Sequence, residues 1–161
     1  MSKSWTGGCQ CGAVRYAFSE KPTDACICHC RMCQKQFGNF FGSFAGAHKD
    51  KFRVTRGTFS HFKSSDGAER YFCKDCGTPL GMKNLSKEFI FVSIGSLDRH
   101  GEFRPENQYG AEAREAWLVE VIGTSCSVTG GYPGDDAARL QMIKSTNLQH
   151  PDHDTESWPQ R

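Results

Sequence analysis

The sequence predicts a mostly β protein with short helical turns. Three observations support this: short runs with a two-residue hydrophobic period, scarce helical periodicity, and nine cysteines, most of them gathered in turn-like clusters. Gly7-Gly8-Cys9-Gln10-Cys11-Gly12 reads as a turn, because glycines on both sides let the backbone curl close enough to aim amides at sulfur. Val14, Tyr16 and Phe18 then alternate with Ala13, Arg15 and Ala17, the period of a half-buried strand. Further extended runs are expected at 40–45, 52–55, 59–63, 69–72, 79–82, 89–94 and 117–121. Two helical turns are expected, one at 31–37 inside a cysteine cluster. The other covers 136–144, with Asp135 as its cap and Ala137, Leu140 and Lys144 near one face. From about Asn147 the chain turns polar and reads as a tail. His150 and His153 in it are expected to be solvated, since ligands on a floppy segment incur an ordering cost.

Length and charge narrow the function classes. At 161 residues the chain fits one domain of roughly 150 residues with a modest extension. No apolar run approaches the roughly 18 residues of a membrane span, since Phe89-Ile90-Phe91-Val92 is soon interrupted by Ser93 and Gly95. The first residues lead into glycines instead of an apolar signal region, so a cytoplasmic protein without membrane contact is expected. A net charge of +2 with interspersed signs gives no footprint for phosphate backbones, which argues against nucleic acid. Hydrophobic residues make up 37% of the chain, a light core for this length. Something further should hold it together.

The cysteines supply that. Without an export signal, thiols at C-x-C and C-x-x-C spacing are more often metal ligands than disulfides. Cys9-x-Cys11 and Cys73-x-x-Cys76, each followed by a glycine, could each give half of a closed tetrahedral zinc site. Such a site has no vertex for chemistry, so its expected role is structural, tying the start of the chain to a turn some sixty residues later. Cys28, Cys30 and Cys33 place three thiols in six residues. Three protein ligands with an exchangeable fourth position is the composition of catalytic zinc. Cys26 allows two readings, a fourth thiolate that closes this site or a small buried hydrophobe. Strand spacing of roughly 3.3 Å per residue favours the second. His29 stands between two ligands and would point away from them on an extended segment, towards a supporting or surface role. Cys126 follows an apolar run and reads as core. Arg31, Lys35 and Lys74 flank the clusters as surface charges or as partners for substrate carboxylates.

Four segments together carry a resemblance: Gly8-Cys9-Gln10-Cys11-Gly12-Ala13-Val14-Arg15-Tyr16, Cys28-His29-Cys30-x-x-Cys33-Gln34, Phe72-Cys73-x-x-Cys76-Gly77-Thr78-Pro79-Leu80 and Gly95-Ser96-Leu97-Asp98. The chain resembles the glutathione-dependent formaldehyde-activating enzyme family (CENP-V/GFA) over about residues 5 to 120. The resemblance implies an Mss4-like zinc-binding β fold with two Zn²⁺ ions. Residues 1–129 would form the family domain, and 130–161 an extension with a short helix and a polar tail. By matching position, Cys9, Cys11, Cys73 and Cys76 look like the structural set and Cys28, Cys30 and Cys33 like the catalytic set. The implied activity is that of a carbon–sulfur lyase, forming or cleaving S-hydroxymethylglutathione from glutathione and formaldehyde.

Departures from the family pattern point to a changed pocket. Where relatives carry a His-Ile-aromatic stretch and a Pro-Trp pair, this chain reads Gln108-Tyr109-Gly110 and Arg114-Glu115-Ala116-Trp117. Phe37-Gly38 replaces the usual Thr-Gly, and Phe40 and Phe41 follow. An aromatic cleft beside zinc suits a flat carbonyl compound better than a charged tripeptide. Three functions are therefore carried forward. They are the glutathione–aldehyde lyase, a glutathione-independent zinc enzyme acting on a larger aromatic or carbonyl metabolite by dehydration, ring opening or cyclisation, and a non-catalytic zinc-stabilised binding module. His29, a zinc-bound water and bulk solvent are the candidates for proton delivery. The extension is open to docking over the barrel, exchange into a homodimer, or mobility.

Overall fold

A computed structural model describes residues 4–131 and 134–158. Among them ten short strands form two sheets. The smaller has the order β1-β2-β5, with β1 Trp5–Gly8, β2 Arg15–Phe18 and β5 Phe52–Arg56. The larger has the order β10-β3-β4-β9-β8-β7-β6. Its strands are β3 Thr23–Cys28, β4 Gly42–His48, β6 Ser60–Ser65, β7 Ala68–Phe72, β8 Pro79–Asn84, β9 Phe89–Ser93 and β10 Asn107–Tyr109. Neighbours are antiparallel except β10, which runs parallel to β3.

Alternation along the strands makes two apolar layers. Ala45, Ala47, Ile90 and Val92 join Val14, Tyr16, Phe18 and Leu80 in the main core. Phe44, Phe91 and Met82 pack in a second cluster with Cys26, Cys33 and Phe37. On β8, Leu80 belongs to the first layer and Met82 to the second, so alternation breaks between them. Gly81, at φ 145°, is where it breaks, and a Cβ there would lie 2.0 Å from the Phe91 carbonyl oxygen.

Strand β2 is buried on both faces, contrary to the half-buried strand that its alternation suggested. Arg15, only 3% exposed, is accommodated by ion pairing: its guanidinium donates to both Asp98 carboxylate oxygens, at 2.9 and 2.5 Å.

The helices are short: α1 Arg31–Phe37, α2 Leu118–Ile122 and α3 Ala137–Ser145. The run at 117–121, expected as a strand, forms α2. With no strand beside it, the segment satisfies its amides locally, as in Val121 N–H to Trp117 C=O at 3.1 Å. The cap of α3 is Asp136, not Asp135: its carboxylate accepts from the Arg139 N–H at 3.1 Å.

The polar tail does not stay solvated. His150 is 2% exposed, and its N–H donates to the Gln10 carbonyl at 2.7 Å. Its ring stacks edge-on with Trp158 at 4.7 Å and lies over Gly12, where a Cβ would come within 2.3 Å of the imidazole. Asp154 accepts from Arg15, and Arg56 donates to the Thr155 carbonyl and hydroxyl. Residues 147–158 therefore form a strap over the first cysteine turn. The local composition suggested a free tail because it carries no trace of the distant surface that receives it. His153 is exposed as expected, whereas Cys126, expected in the core, is exposed.

Candidate metal centres

Two turns build the four-cysteine cluster. In the first, Cys9 N–H donates to Val14 C=O at 3.0 Å, Gly12 N–H to Cys9 C=O at 3.1 Å, and Val14 N–H reaches the Cys9 Sγ at 3.2 Å. The second repeats the pattern: Cys73 N–H to Thr78 C=O at 3.0 Å and Gly77 N–H to Cys73 C=O at 2.9 Å. Gly77, at φ 75°, takes the left-handed turn. A cross-tie from Gln10 N–H to the Thr78 hydroxyl, 3.0 Å, holds the turns together.

The four Sγ atoms lie within 4.8 Å of one another, with Cys9–Cys11 at 3.5 Å and Cys11–Cys73 at 3.9 Å. Disulfides are excluded at those distances. Tetrahedral bonds of about 2.3 Å require sulfur spacings of about 3.8 Å, so the group fits a metal ion of zinc's size and softness. Burial pushes the Cys9 thiol up. Burial also opposes ionisation of Cys76, yet the Thr78 hydroxyl and nearby amides bring it down to about 6.

Cys28 ends β3, Cys30 caps α1, and Cys33 stands in the first turn of the helix. Their sulfurs also lie within 4.8 Å of one another. Cys28 is lowered to about 5 by a hydrogen bond from Cys33, which is itself pushed up because it keeps the shared proton. Arg70, 2% exposed, places Nη1 3.5 Å from the Cys33 Sγ and donates to Gln36 Oε1 at 2.5 Å. It therefore stands as a buried cation behind the trio. The sequence signal for it was slight: strand alternation puts Arg70 and Phe72 on one face just before Cys73.

Cys26 is not part of the three-sulfur group. It packs with Phe44 and Cys33, and burial raises its thiol to about 11, the behaviour of a small hydrophobe.

His29 is neither a ligand nor a surface group. It is 1% exposed, its Nε2 lies 2.9 Å from Gln108 Oε1, and its Nδ1 has no partner among the described residues. Its backbone N–H donates to Tyr109 C=O at 2.8 Å, and the Gln34 amide closes the loop by donating to His29 C=O at 2.8 Å.

Cys28 and Cys33 open onto a cleft of about 550 Å³ walled by Phe44, Met82, Phe89 and Phe91, with Asp24, Lys87 and Tyr109 also lining it. The aromatics singled out in the sequence sit elsewhere. Phe37 packs on Phe44, Phe40 on Trp117, and Phe41 on His29. Of the flanking cations, Lys74 is exposed beside the first cluster, and Arg31 and Lys35 border a second cleft behind α1.

A mostly β molecule with one four-sulfur and one three-sulfur cysteine cluster defines a class, a small domain built around two cysteine clusters that each fit a metal ion. The model of the glutathione-dependent formaldehyde-activating enzyme family matches residues 4–112, and the chain belongs to that family, with its Mss4-like fold. It is 35% identical over 77 residues to an uncharacterized lyase of Schizosaccharomyces pombe, a match covering 47% of this chain and 55% of the relative. The match thus spans little more than half of that curated relative. A crystal structure of a Rhodobacter sphaeroides protein shares the fold at a TM-score of 0.52 and 24% identity, covering 64% of this chain and 98% of that one. No described helix is long and apolar enough to cross a membrane.

Proposed function

We propose that this chain is a zinc-dependent lyase that makes or breaks the carbon–sulfur bond between a thiol and a small aldehyde. Glutathione and formaldehyde, named in the family's description, are the first pair to test. The carrying observation is a trio of sulfurs with no fourth cysteine, histidine or carboxylate grouped with it among the described residues, two of them opening onto an apolar cleft. Cys28, Cys30 and Cys33 would hold one ion, and Cys9, Cys11, Cys73 and Cys76 a second, structural one. A zinc ion in the trio would keep a thiol ionised at neutral pH or polarise a carbonyl oxygen.

The chain's own residues set the rest. The Arg70 guanidinium beside Cys33 offsets the negative charge of clustered thiolates. Phe44, Phe89 and Phe91 exclude water from the reacting carbonyl, strengthening polar interactions there. His29 positions the loop through Gln108 and Tyr109. In the forward direction the thiolate sulfur bonds to the aldehyde carbon, the carbonyl π bond breaks onto oxygen, and the proton released by the thiol ends on the new hydroxyl, carried by solvent at the mouth of the cleft.

A second reading, a glutathione-independent enzyme for a larger aromatic or carbonyl compound, is favoured by one feature. The cleft walls are aromatic, with Lys87 as the only cation among the lining residues, a poor match for a tripeptide with two carboxylates. Calorimetry of the zinc-loaded protein with glutathione separates the two. Saturable binding in the millimolar range or tighter, lost in Cys30→Ser, supports the lyase. Absence of heat with intact metal content removes glutathione and leaves the second reading.

A further inference from the structure

We infer that the cleft between α1 and the β6–β7 hairpin is a binding site for a small aromatic carboxylate. The cleft measures about 720 Å³, within the roughly 300–1,000 Å³ of small-molecule sites. It is separate from the cleft that Cys28 and Cys33 line, so occupancy here does not depend on the reaction proposed above.

Charge indicates the ligand's sign. Arg31, Lys35 and Arg70 line this cleft, and no Asp or Glu does. None of the three has a carboxylate within ion-pair distance among the described residues: Arg31 donates to Gln34 and Arg70 to Gln36 and Ser64. Lys63 also borders the cleft but is paired with Asp66 at 2.9 Å. In a chain whose charges nearly cancel, Arg31 and Lys35 stand exposed and without acids at one cavity, while the buried Arg70 behind them is matched by the Cys33 sulfur, so the lip of the cleft carries a local positive field that composition does not explain. Arg31 is a guanidinium, whose planar fork matches a carboxylate in two-point contact.

Shape and polarity indicate the body of the ligand. The floor is the Phe62–Phe72 pair, with ring centroids 6.5 Å apart, flanked by Met32 and Pro79. Phe62 is 49% and Met32 48% exposed, leaving apolar surface open beside the cations. A flat ring laid on Phe62 and Phe72 buries that surface and brings its carboxylate to Arg31 and Lys35, while the cation edges also favour a π face.

The test uses the zinc-loaded full chain, ¹⁵N-labelled, titrated with 2-naphthoate and with the neutral 2-naphthamide. The expected result is saturable shifts confined to residues 31–36 and 60–72, with naphthoate bound at least about tenfold more tightly than the amide. Lys35→Glu and Phe62→Ala, both at exposed positions, are expected to weaken naphthoate at least about fivefold with metal content and remaining resonances unchanged. Shifts centred on 82–91 or 118–122, equal affinity for the amide, or no effect of either substitution would each overturn the assignment. A failure of glutathione to bind leaves all these outcomes readable.

Discussion

At the scale of single residues, what decides the cost of a substitution is whether it leaves a buried group alone. Asp98 is 6% exposed and faces the buried Arg15 guanidinium, so Asp98→Ala leaves that charge with only the half-exposed Asp154 and is expected to cost about 1.5–3 kcal/mol. Asp154 meets the same guanidinium but is 49% exposed, and Asp154→Ala is expected to cost under about 1 kcal/mol. Urea denaturation of the two variants measures both. The roles proposed for the cysteines divide in the same way. Cys73→Ser should abolish cooperative folding, because structural metal binding supplies folding free energy. Cys30→Ser should remove one of two bound equivalents by elemental analysis, leave far-UV dichroism near wild type, and lower turnover at least about 100-fold. The grouping of the seven sulfurs was legible in the sequence because C-x-C and C-x-x-C spacing is itself the geometry of a tight turn that brings thiols together. Arg70 was not, since a basic residue on a short strand looks like any solvated charge until α1 covers it.

At the scale of elements, sheet alternation was readable wherever a strand had one apolar face, as along Phe89–Ser93. It failed for β10, three exposed residues whose only signal is a pairing partner far upstream, and for 117–121, where an alternating run found no neighbour. β1 was hidden by its glycines, although Gly7 and Gly8 are both buried in the ladder against β2. Position 81 makes a sharp test of how β8 serves two apolar layers. Gly81→Ala puts a methyl against the Phe91 backbone and fixes an unfavourable φ, with an expected loss of at least about 2 kcal/mol by thermal or urea unfolding. Because the Gly81 carbonyl also accepts from Gln36 Nε2 at 3.0 Å, the same variant should disturb α1, visible as shifts in amides 31–37.

At the scale of the whole molecule, the strap 147–158 joins the far end of the chain to its first turn. Its composition predicted solvation because periodicity reports local partners only, whereas His150 is buried by Gly12 and Trp158, and Arg15 and Arg56 reach residues beyond it. Burial holds the His150 imidazole below its ordinary range. Its contribution to stability is therefore complete above the unfolded value of about 6.5 and is lost as pH falls through the lower folded value, where the unfolded strap takes up the proton more readily. Acidification should release the strap before the sheets, with a red shift of Trp158 emission preceding loss of far-UV dichroism. His150→Ala should show the released emission at neutral pH. The distance between the paired turns also governs how the molecule is made. A ribosome delivers Cys9 and Cys11 first and Cys73 only 62 residues after Cys11, about 3–12 s later at usual elongation rates. Throughout that interval the nascent chain exposes half a chelate, competent to be captured by any passing soft ion or oxidant, and it closes only when translation has passed the second turn.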